Sequence, residues 1–226
     1  MANYAEDHYM SETLILLIPF IGTALGAAMS LFFRRGLSLR AEKVFLGFAA
    51  GVMTAAAVWS LLIPALDSAE SCLPVVSGFL VGVGFLLLLD MIIPHLHLES
   101  ESPEGLPVKL PRRTMLLLAV TLHNIPEGMA VGVALAGSLS ESAISTSSAL
   151  VLSLGIALQN FPEGAVVSMP LLGEGMSRKK AFFCGVLSGA VEPVAALATL
   201  FFTRELSSVL PFLLSFAAGA MLYVVA

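Results

Sequence analysis

Leu122-His123-Asn124-Ile125-Pro126-Glu127-Gly128 and, 36 residues further on, Leu158-Gln159-Asn160-Phe161-Pro162-Glu163-Gly164 are the stretches on which the chain turns. Each sets an amide, a proline and a carboxylate in the middle of an apolar run. At bilayer depth such groups are costly unless they have partners or a function. The flanking composition confirms the setting. Of the residues 58% are hydrophobic and 12% charged, and the mean hydropathy is +0.94, against about 25% charged in soluble domains. The chain reads as an all-α integral membrane protein.

Outward from the paired motif lie seven apolar runs, each of a length that crosses a bilayer at about 17 to 25 residues. They are Thr13 to Phe33, Val44 to Leu66, Leu73 to Pro94, Thr114 to Ser138, Thr146 to Leu172, Ala181 to Phe202 and Val209 to Ala226. Continuous rather than alternating hydrophobicity selects helices over barrel strands. Connections are short except residues 96–113, a polar loop with Glu99, Glu101, Pro103, Glu104, Pro107 and Pro111. Residues 1–12 carry Glu6, Asp7 and Glu12 without a basic residue, unlike the start of a signal peptide, so the first run is expected to be retained behind a short tail. Cys72 and Cys184 form no metal knuckle or disulfide framework and read as packing residues.

Arg34, Arg35, Arg40, Lys43, Lys109, Arg112, Arg113, Arg178, Lys179 and Lys180 all follow odd-numbered helices, leaving only Arg204 of the 11 basic residues on the other face. By the positive-inside rule the basic face is cytoplasmic, and the N-terminus and its tail lie outside an inner, multi-pass membrane location. The net charge of −5 says little about partners; the bilayer is the expected one, and no nucleic acid is expected. Asp67, Glu70 and Glu141 make the outer loops weakly acidic.

Gly-xxx-Gly spacing at Gly22/Gly26, Gly47/Gly51, Gly78/Gly82, Gly128/Gly132 and Gly185/Gly189 predicts close helix contacts. Phe48-Ala49-Ala50-Gly51-Val52-Met53 in the second run returns as Phe216-Ala217-Ala218-Gly219-Ala220-Met221 in the seventh. Leu31-Phe32-Phe33-Arg34-Arg35 is echoed by Leu200-Phe201-Phe202-Thr203-Arg204 at the end of the sixth. Five spans separate the starts of runs one and six, which gives an inverted-topology repeat of the kind secondary transporters share. The same repeat calls for a counterpart of the third run after the seventh. The sequence stops at Ala226, so seven helices of an expected eight are present.

Helical spacing puts His123, Asn124 and Glu127 on neighbouring parts of one face, and Gln159, Asn160 and Glu163 likewise. Pro126 and Pro162 free the carbonyls of Leu122 and Leu158, and Glu192-Pro193 adds a third carboxylate from the sixth run. Three carboxylates in a low dielectric cannot all stay ionised without a cation, since desolvation and mutual repulsion both oppose the charge. Either they are protonated or they share a metal. One imidazole with several oxygens and no thiolate suits zinc, iron, manganese or cadmium, and not calcium. The alternative, that the amides are interhelical glue at kinks, is the better one for any of these residues alone. Asp90, His95 and His97 at the mouth of the third run, and Met53, are further candidates for an ion path, with a polar helix end and packing as their plainer readings. An intramembrane metallohydrolase is disfavoured, as no His-Glu-x-x-His and no recognisable Ser/His/Asp order occurs.

The doubled Asn-x-Pro-Glu-Gly, preceded by His123 and by Gln159, together with Glu192-Pro193, resembles the ZIP (Zrt/Irt-like) family of divalent metal transporters, in particular its prokaryotic GufA-like branch. The resemblance runs through the whole chain, as a single transporter domain over residues 1–226. It implies eight helices arranged three, two, three, a homodimer, and inward transport of zinc, iron, manganese or cadmium by alternating access. Helices one, four, five and six would slide against the remainder. It further implies a binuclear site at His123, Asn124, Glu127, Gln159, Asn160, Glu163 and Glu192, with Glu127 and Glu163 bridging two metals. Asn160 departs from relatives that have an acid there, which weakens the second metal.

Overall fold

The computed structural model describes residues 2–33, 36–95, 105–106, 110–139, 144–203 and 209–225, and the side chains among them except those of 2–11 and 112. Within them lie seven helices: α1 (Ala2–Phe32), α2 (Leu39–Ser68), α3 (Cys72–Ile92), α4 (Arg112–Leu139), α5 (Thr146–Gly173), α6 (Arg178–Thr203) and α7 (Leu210–Val225). The first six are long and apolar enough to cross a membrane, and α7 is an apolar helix of 16 residues. All seven predicted runs are therefore helical. Helix α1 starts at Ala2, so residues 2–12 of the expected tail are helical.

Local chemistry sets the ends. Ser38 caps α2 by accepting from the Ala41 N–H, so α2 starts at Leu39 and not at Val44. Ser145 caps α5 by accepting from the Ser148 N–H at 3.1 Å. The far end of α5 closes on Gly175 at φ +83°, with the Met176 N–H donating to Leu171 and the Gly175 N–H to Leu172, a Schellman motif that needs a left-handed residue. Within α2, residues Ala56–Leu62 form a π-helical stretch. There the Ile63 N–H reaches back five residues to the Val58 carbonyl, a widened turn ahead of Pro64. In α1, Pro19 cannot donate to the Ile15 carbonyl. Ser153 of α5 satisfies that oxygen at 2.5 Å.

Glycines set the helix pairs. A Cβ at Gly22 or Gly26 of α1 would strike the backbone of Ala157 or Phe161 in α5, and one at Gly164 of α5 would strike Thr23 of α1. Gly128 and Gly132 of α4 stand in the same relation to Glu192 and Ala196 of α6, as do Gly78 and Gly82 of α3 to Phe212 and Phe216 of α7. Residue numbers rise together along each contact, so α1/α5, α4/α6 and α3/α7 are parallel pairs. Gly185 and Gly189 of α6 meet Ala27 and Thr23 of α1. Gly47 and Gly51 behave otherwise: a Cβ there would meet nothing within 4 Å. Their spacing marks an outward face of α2 and not a contact within this chain.

The pairs assemble into two bodies. Helices α1, α4, α5 and α6 pack on one another, α7 carries α3 and α2, and the bodies meet where α2 lies on α5 and α7 on α4. One half of that junction is sealed by buried Leu61, Leu135, Leu152, Ile156 and Leu214. At the other end Arg113 of α4 donates to Glu174 at the end of α5, at 2.8 Å to the carboxylate and 2.6 Å to the carbonyl. Arg178 of α6 reaches the Leu31 carbonyl at the end of α1.

Candidate metal centre

The two proline motifs fall midway along α4 and α5, and Glu192 follows a turn at Ala190 that interrupts α6. Glu192 thus sits in the first turn of the second segment of α6, where free N–H groups favour a carboxylate. Asn124, Glu127, Gln159, Asn160 and Glu192 are each at most 1% exposed. Glu163 and His123 are half-buried and line a cavity.

Each group is anchored by one atom and presents another. The Asn124 Nδ2 donates to the Ser188 carbonyl at 3.0 Å. The Gln159 Nε2 donates to Glu127 Oε1 at 2.7 Å. Thr23 Oγ1 donates to Glu192 Oε1 at 2.7 Å. Left without a hydrogen-bond partner are Asn124 Oδ1, Glu127 Oε2, Gln159 Oε1, both polar atoms of Asn160, and Glu192 Oε2. Leaving a buried polar group unsatisfied costs about 1–3 kcal/mol, more if charged. Gathering several such oxygens at one buried place is correspondingly costly. The three anchoring bonds join helices as glue does, and a second atom of each anchored group is left unused. The charged neighbours of Glu127 are Glu163 and Glu192, and Asn160 lies beside both Glu127 and Glu192. Among the described residues no three His, Cys, Asp or Glu side chains are arranged to hold an ion by themselves. Amide oxygens are a large part of the unpartnered atoms, a chemistry that would suit a hard or borderline cation.

The cavity, of about 370 Å³, lies between the two bodies. Leu46, Ala50 and Met53 of α2, Leu116 and Val120 of α4, Val167 and Leu171 of α5, and Val224 of α7 form its walls, with His123 and Glu163 deepest. These are the ends of α2 and α4 that carry Arg40, Lys43 and Arg113, so the cavity belongs to the basic end of the bundle. Met53 lines this cavity. Asp90 and His95 instead bond within their own corner of the bundle. Tyr223 donates to Asp90 Oδ2 at 2.7 Å, His95 Nε2 is 3.4 Å from Asp90 Oδ1, and its Nδ1 is 2.8 Å from the Ile93 carbonyl. They brace α3 against α7 and are absent from the cavity lining. His97 lies outside the described residues.

Thr23 and Ser188 are the contributors that motif reading passes over. A threonine in an apolar helix has its own i−4 carbonyl to bond, so nothing local marks it. One signal was available. The offset of 169 that carries Leu31 onto Leu200 also carries Thr23 onto Glu192, the residue it bonds.

Comparison with known proteins identifies the family. Residues 108–226 match the family model described as ZIP Zinc transporter. The zinc transporter ZIP11 of Homo sapiens is 37% identical over an alignment covering 90% of this chain and 83% of the relative. The zinc transporter ZIPB of Bordetella bronchiseptica is 37% identical over 91% of this chain and 67% of the relative, and the zinc transporter GufA of Myxococcus xanthus 37% over 90% and 82%. The chain belongs to the ZIP family of transporters. It is a multi-pass helical membrane protein and not an enzyme, and GufA is among the relatives it resembles, as the motif pair suggests.

Proposed function

We propose that this protein carries zinc across the membrane into the cytoplasm, through the centre formed by α4, α5 and α6. The observation that carries the proposal is the set of buried oxygens on Asn124, Glu127, Gln159, Asn160 and Glu192 left without hydrogen-bond partners. A divalent cation satisfies them together. His123 and Glu163 complete the donor set from the cavity side, and the spread of donors over seven side chains leaves room for two ions. Iron, manganese and cadmium are proposed as further substrates, since oxygen and imidazole donors alone do not rank the transition metals. The relatives' names support zinc first.

Transport is by alternating access. The cavity leads from the centre past Met53 to the basic, cytoplasmic end, while the leucines at the opposite end close the outer side. Sliding of the α1/α4/α5/α6 body against α2/α3/α7 exchanges these two conditions. An inverted repeat is supported by the pairing: α1 on α5 is matched by α6 on α4, and α2 on α5 by α7 on α4. The site lies at the junction of the halves, as in other secondary transporters.

Purified protein in proteoliposomes is expected to take up radioactive zinc saturably. Zinc bound at equilibrium with no flux would replace transport by binding alone. The cavity makes its own prediction. Cysteines at Ala50 and Val120 react with an impermeant maleimide applied to the cytoplasmic side, and zinc slows the reaction. Cysteines at Leu61 and Leu135 react from neither side. Labelling of Leu61→Cys in preference to Ala50→Cys would reverse the assignment of the open end.

A further inference from the structure

The geometry points to Thr23 of α1 as a positioning residue of the metal centre: its hydroxyl holds Glu192 so that Oε2 alone faces the ion. The assignment rests on the proposed metal centre and extends it to a helix that supplies none of the ligands.

Hydroxyls in this bundle generally turn back to their own helix. Ser30 donates to Ala27, Thr54 to Ala50, Thr121 to Leu117, Ser188 to Gly185 and Thr203 to Thr199. Thr23 does not. Although the Pro19 carbonyl is one turn away, Oγ1 crosses to the α6 carboxylate at 2.7 Å, and both residues are about 1% exposed. A hydroxyl-to-carboxylate bond in such a setting is stronger than a neutral one.

Thr23 is also held from both sides. A Cβ on Gly189 would lie 2.7 Å from its Cγ2 and 2.8 Å from its Cβ, and one on Gly164 would strike its carbonyl oxygen. Two glycines thus let the threonine enter between α5 and α6, beside the Pro-Glu-Gly turn and next to Glu192. With Oε1 committed to Thr23, Glu192 offers a single oxygen in a fixed direction. Gln159 does the same for Glu127, whose Oε2 is left free. The difference is that Gln159 has an oxygen of its own for the ion, whereas Thr23 acts only through Glu192.

Zinc binding to the purified full chain, measured by calorimetry, tests this. Thr23→Val keeps the shape and removes the donor, and is expected to weaken zinc binding roughly tenfold, as for loss of other hydrogen bonds behind metal ligands. Thr23→Ser is expected to stay within about twofold of the parent, since the donor remains. In proteoliposomes the Val variant should raise KM for zinc and leave the maximal rate near that of the parent. Thr23→Val binding zinc as tightly as the parent overturns the assignment. So does a Ser variant as weak as the Val variant, because packing and not the hydroxyl would then matter. Should Thr23→Val fail to fold, Thr23→Ala removes the same donor without adding bulk, and the same comparison with Ser decides. Failure of the parent chain itself to bind zinc would sink the metal centre, a result distinct from either of these.

Discussion

Zinc uptake falls to background when Glu127 and Glu163 are both replaced by alanine, and the metal-free protein melts no lower for the change. The two halves of this expectation have one cause. Glu127 is fully buried, with Oε1 taken by Gln159 and Oε2 unpartnered, and Glu163 and Glu192 are its charged neighbours. Without a cation these carboxyls are a liability in a medium that cannot screen them, held protonated or opposing one another, so deleting two costs the apo chain little. With a cation they are the main attraction, and deleting two of three costs far more than the roughly 10–100-fold seen for loss of an outer-shell partner. Glu163 also lines the cavity, so its loss would remove the proposed step between the buried centre and the cytoplasmic end. Melting curves with and without zinc, run beside uptake, separate the terms. Zinc stabilises the parent by mass action and leaves the double variant unmoved. Uptake that survives in Glu127→Ala, Glu163→Ala would end the mechanism proposed here.

Much of this arrangement was legible before the structure, and the exceptions have a common character. The span count and the helices bearing the motifs follow from hydropathy and from 3.6-residue spacing, which are local properties. Which helix lies across from which is not local. Gly22/Gly26 and Gly47/Gly51 are spelled alike, yet the first pair admits the α5 backbone and the second meets nothing. Asp90 and His95 have the composition of a metal path, but the chain after α3 turns so that His95 is buried against Asp90, and Tyr223 arrives from the far end of the sequence. The π-helical stretch in α2 has Pro64 as a visible cue for irregularity, with nothing to choose a widened turn over a kink. Thr23 is silent because its partner is 169 residues away. Only a repeat taken at residue level joins them.

That register also carries a structural consequence. Gly164 of the second motif seats Thr23, and Gly128 of the first seats Glu192. Equivalent glycines therefore receive equivalent positions of α1 and α6, one a hydroxyl donor and the other a carboxylate acceptor. The two positions meet across the junction of the halves. On the proposed inverted repeat, a duplicated scaffold would thereby be chemically asymmetric at the proposed metal centre, one copy supplying a ligand and the other its support. Exchange of the two residue types, with threonine at 192 and glutamate at 23, would keep the bond and move the charge to α1.

Gly26→Val is expected to be among the most damaging single changes outside the ligands. A Cβ there meets the Phe161 carbonyl oxygen and lies 2.9 Å from the Phe161 carbonyl carbon and 3.0 Å from the Ala165 nitrogen. All three are backbone atoms, so no side chain can swing aside, and α1 must move off α5. Overpacking costs about 1–3 kcal/mol where side chains can adjust, and more is expected here, read as loss of monodisperse protein or a large fall in melting temperature in detergent. Displacing α1 also draws Thr23 from Glu192, so whatever protein survives should bind zinc more weakly. Two controls divide the effects. Gly82→Val makes the same kind of collision with Phe216 in the α3/α7 pair, away from the centre; it should lower stability and leave zinc affinity per folded molecule unchanged. Gly51→Val, with open space around its Cβ, should do neither, and replacing a helix glycine there removes a propensity penalty of a few tenths of a kcal/mol. If Gly82→Val weakened zinc binding as much as Gly26→Val, the division of the bundle into an ion-holding body and a supporting one would have to be abandoned, because strain on α3 and α7 would then be reaching the ligands.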